Sequence, residues 1–340
     1  MKLNAFFLVL LCCLVSFSAT AADAGLRYIK TRGKVICGTD TATKTFAFTD
    51  KEKIRRGIDA DICRMFALAI FGDSESFALK NVPTNKIHQA LANNKIDIML
   101  GNTSISAQTE ISTNISPIDV LYYDKQVFAI NTPDVMPSSM EEFRGQKVCV
   151  LQNSPYEENL RAYNHRFGLE LKILPFISAT AVREAFYLNR CELVSGSQIY
   201  LRGLATSPVA KNTKISILPE EISVLPIYAY IDYANPTLKT IAKWIINAPK
   251  LAEANEISSK NIDSVIGVRD SSVANLLGID DKLWKKFELQ PLWAKRYIKD
   301  YGNYGEIFER NIGKDSPLQI ERDKNYLWDR GGMIVAQPFI

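Results

Sequence analysis

Short apolar runs and amphipathic segments alternate along two separate stretches of the chain. Between residues 34 and 100, the amphipathic segments carry apolar residues at helical spacing, for example Ile58, Ile62 and Phe66. The same alternation returns between residues 147 and 195. Strands that alternate with helices are typical of a parallel sheet covered by helices. The pattern therefore predicts two α/β units that follow one another along the chain.

The two units contain the same order of elements, strand–helix–strand–helix–strand. In the first unit these elements are predicted over residues 34–37, 57–71, 78–82, 85–93 and 96–100. In the second unit they are predicted over residues 147–151, 154–167, 169–174, 180–189 and 192–195. A strand is predicted to return to the first unit, and further helices follow it; their ranges are 224–231 for the strand and 236–255, 274–279, 284–297 and 303–311 for the helices.

A Pro- and Ser-rich stretch between the units, residues 131–139, is typical of a linker or a crossing. Two α/β units joined by extended segments predict an α/β, two-lobed fold that closes around a ligand by a hinge motion. We expect the first lobe to comprise residues 26–130 and 227–340, with a helical C-terminal extension. The second lobe is expected over residues 131–226. The sequence leaves the role of residues 257–340 open.

The first residues predict export. Lys2 is followed by an unbroken apolar run over residues 5–15, and the sequence ATA that ends at Ala21 matches a signal-peptide cleavage site. A membrane anchor is the alternative, but the run is shorter than the roughly 20 residues that span a bilayer. We therefore expect a signal peptide over residues 1–21, cleaved near Ala21, and a mature protein that acts in the periplasm.

The charge of the chain favours no polyanionic partner. The formal net charge is +4, and the 41 Lys and Arg residues are spread along the chain. Nucleic-acid binding requires a basic patch or stripe instead. We therefore expect no nucleic-acid partner.

Four cysteines remain after the predicted cleavage, two near the start of the chain and two near its middle. An even number in an oxidising compartment favours disulfides, although four cysteines allow three connectivities. We hypothesise one bond within each lobe, Cys37 with Cys63 and Cys149 with Cys191. Buried reduced thiols are the alternative. Neither the cysteines nor the two histidines have the spacing of zinc ligands, so we expect no metal and no cofactor.

The sequence lacks the motifs of common enzyme classes. It contains no GxSxG, HExxH or P-loop motif and no glycine fingerprint at the start of a βαβ unit. The acidic pairs Asp59/Asp61 and Glu157/Glu158 do not share a helix face, so we interpret them as solvated or capping charges. We expect no catalytic residues and no enzymatic activity.

Polar turns follow strands in both units. Residues 101–109 come directly after the third predicted strand, and Ser154 follows the first strand of the second unit as a good helix N-cap. Ligands of open α/β sheets bind at the carboxyl ends of strands, and the N–H groups of a helix start attract anionic groups. An ordinary polar loop is the alternative for residues 101–109. The two turns together favour a site for a small polar solute.

Four motifs of the sequence carry a resemblance to a known family. They are RGKVICG (32–38), GIDADICR (57–64), YYD (122–124) and, the most specific, GNYGEIFERNIG (302–313). Over nearly the whole mature chain, the protein resembles the polar and general L-amino-acid-binding proteins of ABC importers, solute-binding protein family 3, which have the type II periplasmic binding fold. The four cysteines lie where this family places its own.

The resemblance also reveals departures at the ligand headgroup. The family binds the α-carboxylate through an arginine and the α-ammonium through an aspartate, and the matching positions here are Thr109 and Ser197. A family glycine corresponds to Asn153, and a further family arginine corresponds to Asp232. Each charge-assisted hydrogen bond contributes about 1.5–3 kcal/mol, so losing both would weaken the binding of a zwitterion by about two to four orders of magnitude.

Three other residues, Arg55, Arg56 and Asp40, are candidates to supply the missing charge. The expected ligand-binding residues are Asp40, Phe46, Asn102, Ser104, Thr109, Ser154 and Ser197. Phe46 would form an apolar wall, and the polar residues would supply hydrogen bonds. Tyr123, near the crossing, is a further candidate.

The resemblance thus implies the periplasmic component of an amino-acid-type ABC importer. We expect a monomer that binds a small polar solute, an amino acid or a derivative, in the interlobe cleft and docks on a membrane permease. Two other hypotheses remain: a sensor or scaffold that has lost amino-acid binding, and an enzyme on the same fold such as a dehydratase of the cyclohexadienyl type.

Overall fold

The computed structural model describes residues 24–39, 46–83, 86–101, 107–133, 136–206, 214–265 and 270–340. The predicted signal peptide, residues 1–21, lies outside the described residues. Among the described residues, none of the helices combines enough length with enough apolar character to traverse a bilayer.

The strands and helices are numbered along the chain. The strands are β1 (Val35–Thr39), β2 (Phe48–Thr49), β3 (Arg55–Arg56), β4 (Phe77–Asn81), β5 (Ile98–Met99), β6 (Ile115–Asn131), β7 (Lys147–Leu151), β8 (Lys172–Phe176), β9 (Leu193–Ser197) and β10 (Ile215–Asp232). The α-helices are α1 (Ala24–Arg32), α2 (Ile58–Phe71), α3 (Ile87–Ala92), α4 (Ala107–Ser112), α5 (Pro155–Phe167), α6 (Ala179–Tyr187), α7 (Gln198–Ala205), α8 (Pro236–Ala254), α9 (Ser271–Leu276), α10 (Lys282–Lys286), α11 (Trp293–Tyr301) and α12 (Tyr304–Asn311). Short 3-10 helices cover Met140–Phe143, Ile262–Ser264, Asp323–Asn325 and Trp328–Arg330.

One sheet runs through the molecule in the order β4-β1-β5-β10-β6-β9-β7-β8. β1 pairs in parallel with β4 and β5, and β7 pairs in parallel with β8 and β9. The central strands β6 and β10, 17 and 18 residues long, are antiparallel to each other and run through both sets. We call the part built on β4, β1 and β5 the first half and the part built on β9, β7 and β8 the second half. The α/β fold class is confirmed.

The two halves have different hydrophobic cores, although Ile199 of α7 also packs in the first. Helix α2 is buried from Ile58 to Ile70 because nearly all its residues are apolar, as expected of a helix with no solvent face. The core around it draws on both ends of the chain, from Leu26 to Phe339. The cores of the second half draw instead on one continuous stretch, from Val127 to Leu218.

Strand β6 is not predicted by the hydrophobic pattern, and the structure corrects the position of the crossing. Pro117, Asp119 and Asp124 interrupt the apolar alternation of this strand. The strand begins to pair with β9 at Gln126, where its side chains enter the second core. The crossing therefore lies within β6 and ahead of the predicted linker, residues 131–139. The division of the chain into two lobes at given residues stays a prediction.

Both hypothesised disulfides are present. Cys37 of β1 is bonded to Cys63 of α2, with their Cα atoms 6.1 Å apart. Cys149 of β7 is bonded to Cys191, just before β9, with their Cα atoms 5.8 Å apart. The first bond therefore links β1 to α2 within the first half. The second links β7 to the residue just before β9 within the second half.

The predicted helix over residues 284–297 is wrong, because two helices, α10 and α11, form there. Pro291 disfavours helical backbone in the residue before it, and Glu288 has a positive φ of 54°. The turn between the helices brings the buried rings of Trp284 and Trp293 edge to face, with their centroids 5.3 Å apart. The bend between α10 and α11 allows both tryptophan rings to pack in the first core.

Candidate functional site

The strand directions make the carboxyl ends of the two halves face each other. β10 is antiparallel to both β5 and β6, so β5 and β6 run the same way, from the first half towards the second. β9 is antiparallel to β6, so β9 and its parallel neighbour β7 point back towards the first half. Open α/β sheets bind ligands at the carboxyl ends of their strands. The candidate site is therefore the crevice between the halves, beside the crossing of β6 and β10.

On the first-half side, β1 ends at Thr39, and Gly101 follows shortly after β5. The predicted binding residues Asp40, Asn102 and Ser104 come shortly after these two points in the sequence and lie outside the described residues. Thr109 is described through its backbone, which forms part of helix α4. The predicted polar turn at this position is therefore helical from Ala107 onward.

On the second-half side, Ser154 begins helix α5 as predicted. Its Oγ accepts a hydrogen bond from the Glu157 N–H over 3.4 Å and donates one to the Leu151 carbonyl over 2.6 Å. The Glu157 carboxylate accepts the Asn153 N–H over 2.8 Å. A hydrogen bond from Arg161, together with this N–H, lowers the pKa of Glu157 against the opposing effect of burial. The protein's own carboxylate thus occupies the helix start that was expected to attract an anionic ligand group.

Ser197 ends β9 and begins helix α7, where its Oγ accepts the Tyr200 N–H over 3.0 Å. The same hydroxyl donates to the Asp124 carboxylate, which also accepts the Ile199 N–H over 3.4 Å. Asp124 is buried, with 2% of its surface exposed. A buried carboxylate of the crossing strand β6 therefore lies within hydrogen-bond distance of Ser197, one of the predicted binding residues.

Gln126 links the crossing strands to the elements that carry Ser154 and Ser197. Its Nε2 donates to the Tyr156 carbonyl of α5 over 2.7 Å and to Ser195 Oγ of β9 over 3.0 Å. Its Oε1 accepts from Ser223 Oγ of β10 over 3.2 Å. This buried amide thus links α5, which Ser154 caps, and β9, which Ser197 ends, to the crossing strands.

Tyr122 is a buried polar residue in the same region of β6. Its side chain has no exposed surface, and among the described residues its hydroxyl has no hydrogen-bond partner. Burial raises the pKa of the Tyr122 phenol well above 10.0, and the Asp59 and Asp124 carboxylates raise it further. The phenol therefore stays neutral beside these two buried acids.

Two other predicted residues, Phe46 and Tyr123, make their contacts within the first half. Phe46 is 1% exposed and belongs to the hydrophobic core, and its carbonyl accepts the Asp59 N–H over 3.1 Å. Gly57 must lack a side chain here, because a Cβ would come within 2.2 Å of that carbonyl and its φ is 104°. Phe46 is therefore a packing residue in this structure. Tyr123 is held by Asn325, which accepts its N–H over 2.7 Å.

The two arginines considered as substitute charges are already occupied. Arg55 donates to the Glu75 carboxylate over 2.6 Å and lies over the ring of Phe77. Arg56 is paired with Asp50 over 2.8 Å. Both guanidinium groups therefore already have a carboxylate partner within the first half.

The interpretation of Asp59 and Asp61 as solvated charges is wrong. Both side chains are buried, at 0% and 6% exposure. Asp59 accepts a hydrogen bond from Thr39. Asp61 accepts from Arg64 over 3.0 Å and from Arg310 of α12 over 2.8 Å, so it fastens the C-terminal helices to α2. The spacing along one helix could not reveal partners that lie far away in the sequence.

Asp232, at the position of a family arginine, ends β10 and accepts the Ala234 N–H over 2.8 Å. It therefore closes a turn before α8. Asn153 precedes the Ser154 cap with a positive φ of 53°, the conformation in which a glycine is ordinarily preferred.

No protein-family model matches the chain. Among characterised proteins, the general L-amino acid-binding periplasmic protein AapJ of Rhizobium johnstonii is 33% identical over 331 residues, which is 95% of each chain. The glutamate/glutamine/aspartate/asparagine-binding protein BztA of Rhodobacter capsulatus is 29% identical over 343 residues, which is 100% of each chain.

Solved structures with the same fold include a long and a short form. An ABC transporter / periplasmic binding protein from Brucella ovis with glutathione bound is 29% identical, has a TM-score of 0.82 and covers 92% of this chain and 98% of its own. A mutant arginine-binding protein of T. maritima, 17% identical with a TM-score of 0.54, covers 68% of this chain and 96% of its own. The second likeness concerns the fold alone.

Proposed function

Because this chain belongs to the family of periplasmic amino-acid-binding proteins that serve ABC importers, we propose that it binds a small polar solute, an amino acid or a derivative, in the crevice between its halves. The proposed role takes place in the periplasm, without chemical change to the ligand. The closed form would then dock on a membrane permease. The facing carboxyl ends of β1, β5, β7 and β9 carry this proposal, because they form the crevice in which ligands of such sheets bind.

The proposed ligand has a neutral group where the family's ligands have a carboxylate. Thr109 carries no charge to replace the family's arginine, and Arg55 and Arg56 are occupied by Glu75 and Asp50. Glu157 adds a negative charge at the start of α5, which opposes a second carboxylate there. An amide is the amino-acid derivative that avoids this repulsion.

At the other end, the ligand would donate a hydrogen bond to Ser197. The hydrogen of the Ser197 hydroxyl is directed to Asp124, so a ligand group that contacts this oxygen would have to be a hydrogen-bond donor. The buried Asp124 carboxylate strengthens that acceptor in a site of low dielectric constant. An ammonium or amide N–H group matches this polarity.

A thermal-shift comparison tests the proposal. The mature, disulfide-bonded protein is screened against the 20 L-amino acids, their C-terminal amides and small peptides including glutathione. A ligand at 100 times its Kd stabilises the folded protein by about 2.7 kcal/mol, which is readily detected. We expect larger shifts with the amides than with the free amino acids. Larger shifts with the free amino acids would contradict the assignment of a neutral group, and silence throughout would favour a scaffold.

Three serine caps in the second half provide a matched control. Ser154 and Ser197 begin the helices that follow β7 and β9, whose carboxyl ends form the proposed site, whereas Ser178 caps α6 after the outermost strand β8 and accepts the Ala181 N–H over 3.1 Å. Each change to alanine is expected to lower stability by about 1 kcal/mol through the lost cap. Only Ser154→Ala and Ser197→Ala should also weaken binding of the responding ligand. Equal binding by all three variants would remove both serines from the proposed site.

A further inference from the structure

The end of the chain, which the proposed function does not use, is anchored firmly to the first half. We call residues 322–334 the tail segment. Arg322 pairs with Glu253 of α8 through two bonds of 2.7 and 3.0 Å, and both side chains are buried, at 7% and 6% exposure. Arg322 also donates to the Asn325 carbonyl over 2.9 Å, which fixes the first turn of the tail segment.

The tail segment holds the crossing strand β6 at two residues. Asn325 accepts the Tyr123 N–H over 2.7 Å and donates to the Tyr123 carbonyl over 2.9 Å, so one side chain replaces the two bonds of a neighbouring strand. Lys125, two residues further along, pairs with Asp323 over 2.6 Å and also with Glu221 of β10. Tyr123 is therefore fastened to the first half, and Lys125 is shared between the tail segment and β10.

The intervening residues of β6 are fastened to the second half. Asp124 bonds to Ser197 and to the start of α7. Gln126 bonds to α5 and β9, and pairing of β6 with β9 begins at this residue. Neighbouring residues of one strand are thus bonded to different halves, Tyr123 to the first and Asp124 to the second. Any rotation of the second half must therefore bend β6 within these few residues.

The structure leaves room for such a rotation beside the tail segment. An open groove of about 960 Å³ separates α7 from the C-terminal residues. Gln198 and Arg202 of α7 form one wall, and Asp323 and Tyr326 form part of the other. Helix α7 follows β9 of the second half but packs Ile199 into the first core, so a rotation of the halves would change its contacts and the width of this groove.

We propose that the tail segment is a brace that fixes the pivot of lobe closure at residues 123–126, and that Asn325 and Asp323 are positioning residues which set the balance between open and closed forms. This proposal rests on the proposed function only in assuming that the halves move. Removing either brace contact should let β6 bend over a longer stretch. The halves of the ligand-free protein would then sample a wider range of separations.

Double electron–electron resonance on the full mature chain tests the brace without any ligand. Spin labels are attached at Ile177→Cys in the second half and Ile279→Cys in the first, both strongly exposed positions, while the four native cysteines stay in their disulfides. Asn325→Ala should broaden and shift the distance distribution, and Asp323→Asn should do so to a smaller extent. Asp329→Asn makes the same chemical change at an exposed residue of the tail segment and should leave the distribution unchanged.

Hydrogen exchange at the Tyr123 amide verifies that Asn325→Ala has removed its bond. An unchanged distribution in both variants, with that amide deprotected in Asn325→Ala, would overturn the proposal. An equal change in Asp329→Asn would overturn it as well, because the effect would then be general to the segment. Asp323→Asn decides the question if Asn325→Ala does not fold. A chain that binds none of the screened solutes can still show a brace, so the two proposals fail independently.

Discussion

Replacing Arg322 by methionine is the most informative test of what holds the C-terminal residues in place. The change keeps a long side chain but removes the charge that faces Glu253 in the core. Both side chains are less than a tenth exposed, and the guanidinium also lies 4.6 Å from the ring centre of Tyr326. The Glu253 carboxylate would remain buried with its main partner gone.

The expected loss follows from that burial. Breaking a buried ion pair by removing one partner costs about 3–5 kcal/mol, because an uncompensated charge remains in the low-dielectric interior. Replacing both partners by apolar residues of similar volume is often nearly neutral. We therefore expect Arg322→Met to lose about 3–5 kcal/mol of unfolding free energy. The double variant Arg322→Met/Glu253→Met should recover most of that loss.

Urea unfolding at neutral pH measures both variants, with the buried Trp284 and Trp293 as fluorescent reporters of the first core. The midpoints and slopes are compared with those of the unmodified protein. If the double variant is no more stable than Arg322→Met, the buried charge is not the cause. The loss would then belong to the contacts of the guanidinium with Asn325 and the neighbouring rings.

Three further outcomes are expected. Cys149→Ala/Cys191→Ala should lower the unfolding free energy by about 2–4 kcal/mol, because the bond closes a long loop in the unfolded chain; an unchanged urea midpoint would contradict this. Lys125 lowers the pKa of Asp323 from its ordinary value of 3.8, so this ion pair stabilises the fold above that pH and is lost as the pH falls below it. The difference in urea midpoint between the unmodified protein and Asp323→Asn should therefore shrink between pH 5 and 3, and a constant difference would refute the assignment. Gly332→Ala should cost roughly 1–3 kcal/mol, because its Cβ would lie 1.8 Å from the Tyr326 carbonyl oxygen; Gly196→Ala, with open space at its Cβ and no left-handed φ, is the comparison, and equal unfolding midpoints would show that the clash is relieved.

The parts of the fold that depend on local patterns could be predicted from the sequence. Helix α2 follows from its apolar residues and from Gly72, which ends it in the left-handed conformation. Strand β6 could not be predicted in the same way, because it lies in two different cores and carries Asp124 and Lys125 between them. Its polar residues have partners that are distant in the sequence, such as Asn325.

Some residues of the candidate site could likewise be predicted from their neighbours in the sequence, and others could not. Ser154 could be identified because an N-cap follows from neighbouring residues alone. Asp124 could not, because its bond to Ser197 joins residues 73 positions apart. The buried states of Asp59 and Asp61 depend likewise on the C-terminal helices and on β1, which one helix pattern does not contain.

The cores of the two halves can form at different stages of folding. The second half is built from one continuous stretch, so its core can form as soon as residues up to about Leu218 are free to fold. The core of the first half contains residues from Leu26 to Phe339, and Phe339 is only 1% exposed. Loss of a few C-terminal residues would therefore remove part of the interior of the opposite end of the protein. During synthesis or export, the second half can therefore fold before the C-terminal segment of the first half is present.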